Sequence, residues 1–377
     1  MSRDFSKVKR IVVKVGTNLL SAKDGIDLLR IENIVTQIAN LRQEGYHMLL
    51  VTSGAIGMGA KELKLMDAVK QVSMRQACAS IGQPILMDSY RQSFSKHGII
   101  CSQILLTRKD MNNRTTYVNL RNSVFTLLEL GVVPVFNEND VVSTAEIGSA
   151  FGDNDRMSAM VASKIDADLL VILSDIEGLY TADPKKDPTA KLLSDIPSLD
   201  EKTFSYAGDA GSKFATGGMK TKLLAARIAT IAGCGTVIAS GYVKGSLERI
   251  VKGEELGSFI HPRKRLSQKE RWILNNSHQG SIVVDDGARK ALYSHKSLLP
   301  KGVLSVQGDF GSGDVIQVVS SSGKVFAKAV PYYNSTEIAS IAGHSSLEID
   351  ALLGTGHKDV IFRPEDLVLL DDSMGSL

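Results

Sequence analysis

Arg10-Ile11-Val12-Val13-Lys14-Val15-Gly16-Thr17-Asn18 is a β-branched run interrupted by a single lysine. Such a run predicts a strand buried on both faces, as in parallel sheets. It ends at Gly16, where the backbone can turn sharply and approach a ligand. An edge strand would account for Lys14 by letting its head reach water. A strand inside an open α/β sheet would instead place the ammonium near the carboxyl end, where such sheets keep their ligand crevice. An anion is then its natural partner.

The following segments repeat the pattern. Ile26, Ile31, Ile34, Ile38 and Leu41 recur at helical spacing, and Gly45 follows as a C-cap. Met48–Val51 reads as a second strand, running into Thr52-Ser53-Gly54-Ala55-Ile56-Gly57-Met58-Gly59. That small-residue loop opens toward a helix and can offer backbone N–H groups to a carboxylate or phosphate; a tight turn with close helix packing would use the same residues. A helix is expected over Val72–Phe94, a strand over Ile99–Leu106, a helix over Asn119–Leu130 ended by Gly131, and a strand over Val132–Phe136. The last of these runs into Asn137-Glu138-Asn139-Asp140. Asp153-Asn154-Asp155 precedes an apolar periodic segment, Met157–Ile165; one N-cap would need only one of the three. Leu169–Leu173 is a further apolar strand ending in Ser174-Asp175. The stretch from Gly208 to Gly218 is rich in small residues and leads into an alanine-rich helix through Met219-Lys220-Thr221-Lys222, and Val237–Ala239 is the last clear strand of this part.

Alternating β and α segments with short loops indicate an α/β class: a mostly parallel open sheet sandwiched by helices. This reading assigns residues 1–261 to the first domain and 262–279 to a linker, with the basic run His261-Pro262-Arg263-Lys264-Arg265 at the boundary. Short strands punctuated by glycines follow, so 280–358 is expected to be a small β-rich barrel and 359–377 a tail. A chain of 377 residues accommodates two such domains. A formal charge of +3 over that length points to no polyanionic partner. Cys78, Cys101 and Cys234 fit neither a disulfide framework nor a zinc knuckle. The first residues are polar, no signal-like segment is visible and no apolar run is long enough to cross a bilayer, so the cytoplasm is the expected compartment.

The chemistry rests on Lys14 and Lys222. Transfer of a phosphoryl group spreads negative charge over its oxygens, and fixed positive charge beside them is the main catalytic requirement. The two ammoniums would repel each other unless an acid lay between them, and Asp155 is the candidate. The Walker A pattern is absent, since Lys220-Thr221 follows Gly217-Gly218-Met219 and an irregular loop rather than a strand. Gly54-x-x-Gly57-x-Gly59 has the wrong spacing for a dinucleotide fingerprint.

Val13-Lys14-Val15-Gly16-Thr17, Val51-Thr52-Ser53-Gly54-Ala55-Ile56, Asn137-Glu138-Asn139-Asp140, Gly152-Asp153-Asn154-Asp155, Gly178-Leu179-Tyr180-Thr181-Ala182-Asp183-Pro184 and Thr216-Gly217-Gly218-Met219-Lys220-Thr221-Lys222 occur in one order along the chain. That order resembles the glutamate 5-kinase family, a branch of the amino-acid kinases, and the C-terminal segment resembles a PUA domain. The resemblance implies an amino-acid kinase fold followed by a small β-barrel-like domain. It implies transfer of the γ-phosphoryl of ATP to the side-chain carboxylate of L-glutamate, the first step toward proline. No general base is called for, because that carboxylate is already ionised near neutral pH. By the same resemblance Lys14 and Lys222 stabilise the transferring group and Asp155 organises them. Ser174, Asp175, Thr216, Gly217, Gly218, Met219, Lys220, Thr221 and Lys222 line the ATP site. Ser53, Asn137, Asp140 and Asn154 bind glutamate, Asp140 taking the ammonium while Ser53 and Asn154 donate to carboxylate. No protein-held metal is expected; Mg2+ rides on the nucleotide phosphates. Proline as a feedback inhibitor and a homo-oligomer are implied as well.

Two departures from the family pattern stand out. Ser174 replaces the usual threonine, keeping the hydroxyl, and the loop Ile147–Phe151 is slightly longer than usual. Relatives acting on N-acetylglutamate, aspartate, carbamate or a nucleotide remain alternatives, although Asp140 argues for a free amino group. RNA binding, which PUA domains carry out elsewhere, is disfavoured by the roughly balanced charge beyond Gly280.

Overall fold

The strand Arg10–Val15 runs through the interior of a sheet, with a parallel neighbour on each side. The structure is a computed structural model describing residues 3–22, 25–65, 69, 71–107, 110–111, 114–142, 154–207, 218–263 and 265–370. The chain divides into two compact units, Met1–Arg265 and Leu266–Leu377.

The principal elements of the first unit are β1 (Arg10–Val15), α1 (Leu28–Gln43), β2 (His47–Val51), α2 (Ala55–Glu62), α3 (Val72–Ser95), β3 (Cys101–Leu106), α4 (Arg114–Glu129), β4 (Val133–Glu138), α5 (Asn154–Lys164), β5 (Leu169–Ser174), β6 (Asp195–Ile196), α6 (Met219–Ile231), β7 (Gly235–Ser240) and β8 (Ser258–Ile260). Among the described residues the strands form one eight-stranded sheet in the order β3-β4-β2-β1-β5-β7-β8-β6. All neighbours are parallel except β8 on β7. The short strands β6 and β8 lie in stretches too brief and irregular to show a strand pattern in sequence. From β1 the chain moves first to β2 on one side and later to β5 on the other. A crevice therefore opens at the carboxyl ends of these strands, the point where open α/β sheets bind ligands.

Alternation along β1 sets up two cores. Ile11, Val13 and Val15 face a cluster containing Ile34 and Ile38 of α1 and Leu86 and Tyr90 of α3. Val12 faces the opposite cluster, with Met160 and Val161 of α5 and Leu223 and Ala226 of α6. With side chains alternating between the faces of a strand, Lys14 shares the face of Val12, one step nearer the crevice.

Helices α2 and α3 meet backbone to backbone. A Cβ on Gly59 would fall 1.8 Å from the Cys78 carbonyl oxygen, and one on Gly82 would fall 1.8 Å from the Ala55 carbonyl oxygen. No other residue permits that approach, which brings the middle of α3 against the first turn of α2. The small-residue loop thus meets its close-packing reading. Gly54, at φ 108°, is the N-cap of α2 and provides no side-chain cap for its first N–H groups.

The second unit contains α7 (Gln268–Asn275), β9 (Gly280–Val284), α8 (Asp286–Tyr293), β10 (Val303–Gly308), β11 (Ile316–Ser320), β12 (Val325–Ala329), α9 (Ser335–Ile341) and β13 (Leu367–Leu369). Its five strands are ordered β10-β9-β11-β12-β13 around Ile282, Val318, Phe326, Ile338 and Phe362. Two sequence boundaries differ here. The expected linker 262–279 contains α7, started by a capping box between Ser267 and Glu270, with Arg271, Ile273 and Leu274 buried; its polar composition concealed one apolar stripe. Lys328, itself buried, closes the helix by donating to the carbonyls of Leu274 (2.9 Å) and Asn276 (3.0 Å). The expected tail contributes β13, antiparallel to β12.

Candidate active site

Three side chains converge at the carboxyl end of β1. Lys14 Nζ lies 2.5 Å from Asp155 Oδ1 and Lys222 Nζ lies 3.1 Å from Asp155 Oδ2. Asp155 is 0 % exposed, Lys14 6 % and Lys222 5 %. The edge-strand explanation of Lys14 therefore fails: its neighbours on the sheet are Val51 and Ile172. Asp155 stands in the first turn of α5 and Lys222 in that of α6, the two helices covering the face to which β1 directs Lys14. Burial opposes ionisation of Asp155, but the two ammoniums outweigh it and hold the carboxyl below the usual carboxylate range.

Gly16 does not make the sharp turn expected of it. Its backbone is ordinary, φ −74° and ψ 152°. A Cβ there would stand 3.5 Å from Lys14 Nζ, an ordinary contact distance, so neither the backbone nor the space around it demands glycine.

Next along the sheet, Ser174 Oγ donates to Asp175 Oδ1 (2.9 Å) and Asn18 Nδ2 to Asp175 Oδ2 (3.1 Å). Burial pushes the Asp175 carboxyl up, yet the hydrogen bonds from Asn18 and Ser174, with the charge of Lys222, leave it lowered. A cavity of about 700 Å³ opens past this point, lined by Gly178, Tyr180, Asp183, Pro184, Tyr206 and Met219. Gly218 and Met219 begin α6 with no side-chain cap on its first N–H groups, while Thr221 Oγ1 turns back to the Gly218 carbonyl (2.7 Å) and Lys220 is exposed. Thr216, Gly217, Asp153 and the loop Ile147–Phe151 lie outside the described residues.

On the other side of β1, Ser53, Asn137 and Asn154 are brought together. Asn154 Nδ2 lies 2.5 Å from the Thr52 carbonyl, 2.8 Å from Ser53 Oγ and 3.0 Å from Asn137 Oδ1. An amide with two protons and three acceptors has no donor left over. Asn154 accordingly presents Oδ1, an acceptor buried without a hydrogen-bond partner among the described residues, and not the donor expected from the sequence. Ser53 accepts from Asn154, which leaves its own O–H to donate. Asp140 follows β4 in a half-buried turn. Burial, reinforced by Glu138 and only partly relieved by Arg75, pushes its carboxyl up to about 6. A cation placed beside it would lower that value again.

Residues 9–240 match the model of the amino acid kinase family and residues 280–353 that of the PUA domain. The chain is 43 % identical over 376 residues to a glutamate 5-kinase of Methanosarcina acetivorans, covering 97 % of each chain. It is 43 % identical over 375 residues to a glutamate 5-kinase of Carboxydothermus hydrogenoformans, covering 98 % of this chain and 100 % of that one. The chain belongs to the glutamate 5-kinase family. Among solved structures, a carbamate kinase from Giardia lamblia bound to AMP-PNP superimposes with a TM-score of 0.50 at 16 % identity, over 68 % of this chain and 99 % of that one, a likeness of fold alone.

Some residues that the sequence pattern leaves without a role interact with the candidates. Asn18, just past β1, holds Asp175. Arg75 faces Asp140 from α3. Gln83, 7 % exposed, accepts from Asn137 Nδ2 at 2.8 Å. A signal for Gln83 existed: it lies four residues after buried Ala79 and three before buried Leu86, a polar side chain on an apolar helical face.

Proposed function

We propose that this member of the glutamate 5-kinase family phosphorylates the side-chain carboxylate of L-glutamate at the expense of ATP, with the glutamate between Ser53, Asn137, Asp140 and Asn154 and the nucleotide between Lys14, Ser174, Asp175 and the start of α6. The observation that carries this reading is the pair of buried lysines on one carboxylate, set between the polar cluster at the ends of β2 and β4 and the cavity beyond β5. One oxygen of the substrate carboxylate attacks the γ-phosphorus; a new O–P bond forms as the bond to the β,γ-bridging oxygen breaks, and ADP leaves. No proton needs to move. Lys14 and Lys222 supply donors and positive charge to the phosphoryl oxygens, and Asp155 keeps both ammoniums protonated and aimed.

The cavity beside Met219 has room for an adenosine, with Tyr180 and Tyr206 as apolar walls and Asp183 as a polar contact. Thr216 and Gly217 are assigned to the ATP site in this reading. Mg2+ is taken to be carried by the nucleotide phosphates, the usual arrangement for this ion. That ion would neutralise phosphate charge when bound.

No helix among the described residues is long and apolar enough to cross a membrane. A cytoplasmic setting, a homo-oligomer and feedback inhibition by proline are part of the proposal. So is a structural or regulatory role for the second unit in place of RNA binding.

The test is ATP turnover by the full chain with L-glutamate, N-acetyl-L-glutamate and L-aspartate in parallel, trapping the acyl phosphate as its hydroxamate. Hydroxamate should form with L-glutamate; its absence there, or preference for the N-acetylated compound, would overturn the reading.

A further inference from the structure

The polar cluster has a direction, set at one end by a backbone atom. The Thr52 carbonyl can only accept, so the group 2.5 Å from it must be the NH2 of Asn154. That NH2 also faces Asn137 Oδ1 at 3.0 Å, which turns the Asn137 NH2 the other way, toward Gln83. Asn137 Nδ2 meets Gln83 Oε1 at 2.8 Å, so Gln83 in turn must point its own NH2 away from the chain of amides. Flipping any one amide would set two acceptors or two donors against each other. The relay ends in Gln83 Nε2, a buried donor without a hydrogen-bond partner among the described residues. Leaving such a group unmade is costly, and it is tolerated where a ligand supplies the missing acceptor.

Gln83 cannot retreat from that position. Its neighbour Gly82 is pressed against the Ala55 carbonyl at the first turn of α2, immediately after Ser53. Gln83 therefore stands beside the mouth of the β2 and β4 strand ends and away from the lysines. β4 is two strands from β1, about 10 Å at ordinary strand spacing. The end of an amino acid lying there is the one opposite its phosphorylated carboxylate.

We infer that Gln83 is a substrate-binding residue, its Nε2 donating to the α-carboxylate of the amino acid whose ammonium faces Asp140. The assignment rests on the placing of glutamate argued above. It gives the relay a purpose: Thr52, Asn154 and Asn137 hold the glutamine in the one orientation that offers a donor.

Two substitutions separate this role from a purely structural one. Gln83→Met keeps size and removes both hydrogen bonds. Gln83→Glu keeps the acceptor for Asn137 but replaces the donor by an oxygen. A residue that only supports Asn137 would be rescued by glutamate, whereas a carboxylate-binding residue would be made worse. Expected are a rise of tenfold or more in KM for L-glutamate in Gln83→Met and an unchanged KM for ATP, with a modestly lower melting temperature because Asn137 Nδ2 loses its buried acceptor. Gln83→Glu should show a larger rise that deepens as pH increases and the new carboxyl ionises. Wild-type KM in Gln83→Glu, or equal shifts in both KM values in Gln83→Met, would overturn the inference. If Gln83→Glu does not fold, Asn137→Ala and the double variant Asn137→Ala/Gln83→Met decide: a further rise in KM for L-glutamate in the double variant supports direct binding by Gln83, and no further rise overturns it. Lack of glutamate turnover by the unsubstituted chain counts against the functional reading; normal turnover with an unmoved KM in Gln83→Met counts against Gln83 alone.

Discussion

Asn154 and Asp155, joined by one peptide bond at the start of α5, commit their side chains to opposite halves of the site. Asn154 is spent on Thr52, Ser53 and Asn137, while Asp155 takes Lys14 and Lys222. In the proposed placing of the substrates, a single helical turn would tie the acceptor amino acid to the phosphoryl group it receives, and a shift of α5 would move both together.

The lysines are tested by substitution. Lys14→Ala and Lys222→Ala should each lower kcat by roughly 100- to 1,000-fold, the usual cost of losing one preorganised donor to a developing anion. KM for L-glutamate should change little. Steady-state kinetics with both substrates varied checks this, and an unchanged kcat removes that lysine from the mechanism.

Asp155→Asn should cost stability as well as rate. Removing the carboxylate shared by two buried ammoniums takes away the partner both are paired with, a loss of about 3–5 kcal/mol. Because the Asp155 carboxyl is held below its ordinary value, its contribution is complete above that value and disappears as pH falls through the lower folded one. Thermal melts should therefore show a gap between the two proteins at neutral pH that closes in acid. A gap independent of pH would mean that the charge is not what stabilises.

Asp140 behaves in the opposite sense. With its carboxyl pushed up to about 6, the ionised form is disfavoured in the free fold, so stability falls as pH rises through that range. Asp140→Asn should melt higher than the parent above pH 6 without substrate, yet bind L-glutamate more weakly. In the parent, kcat/KM for L-glutamate should fall about tenfold per pH unit below 6, because the ammonium requires the ionised partner. The pH profile of Asp140→Asn should lack that limb. If it keeps the limb, another group is titrating.

Gly59→Ala and Gly82→Ala test the helix contact behind the amino-acid side. Each new methyl would meet a carbonyl oxygen at 1.8 Å, so the helices must separate. Destabilisation of about 1–3 kcal/mol is expected from overpacking, together with a larger rise in KM for L-glutamate than for ATP, since Gln83 and the Ser53 loop move. Denaturant titration and the two KM values check both parts.

Much of this architecture was legible beforehand because it depends on local pattern. The apolar runs of β1, β2 and β5, each ending in polar or small residues, announce parallel strands with a crevice at their ends. Lys14, Asp155 and Lys222 stand out as charges at the edges of such runs, and motif order alone indicated the family. The short strands β6 and β8 were not legible, being too brief to show alternation. The helix α7 was hidden by its charge, because lysine and arginine stems can cover apolar surface while their heads stay wet.

Tertiary structure alone decided which atoms face which. A sequence shows Asn154 as a residue able to donate or accept; only the Thr52 carbonyl, brought over from β2, makes it an acceptor toward the site. Gln83 reads as one polar residue in a helix until Gly59 and Gly82 let α3 close on α2 and set it against Asn137. Hydrogen-bond direction and backbone approach depend on contacts across long stretches of chain, and local periodicity carries no information about them. Lys14 illustrates both sources: the sequence marked it as a charge in a buried strand, and the packing of α5 and α6 supplied the carboxylate and the second ammonium that give the charge its task.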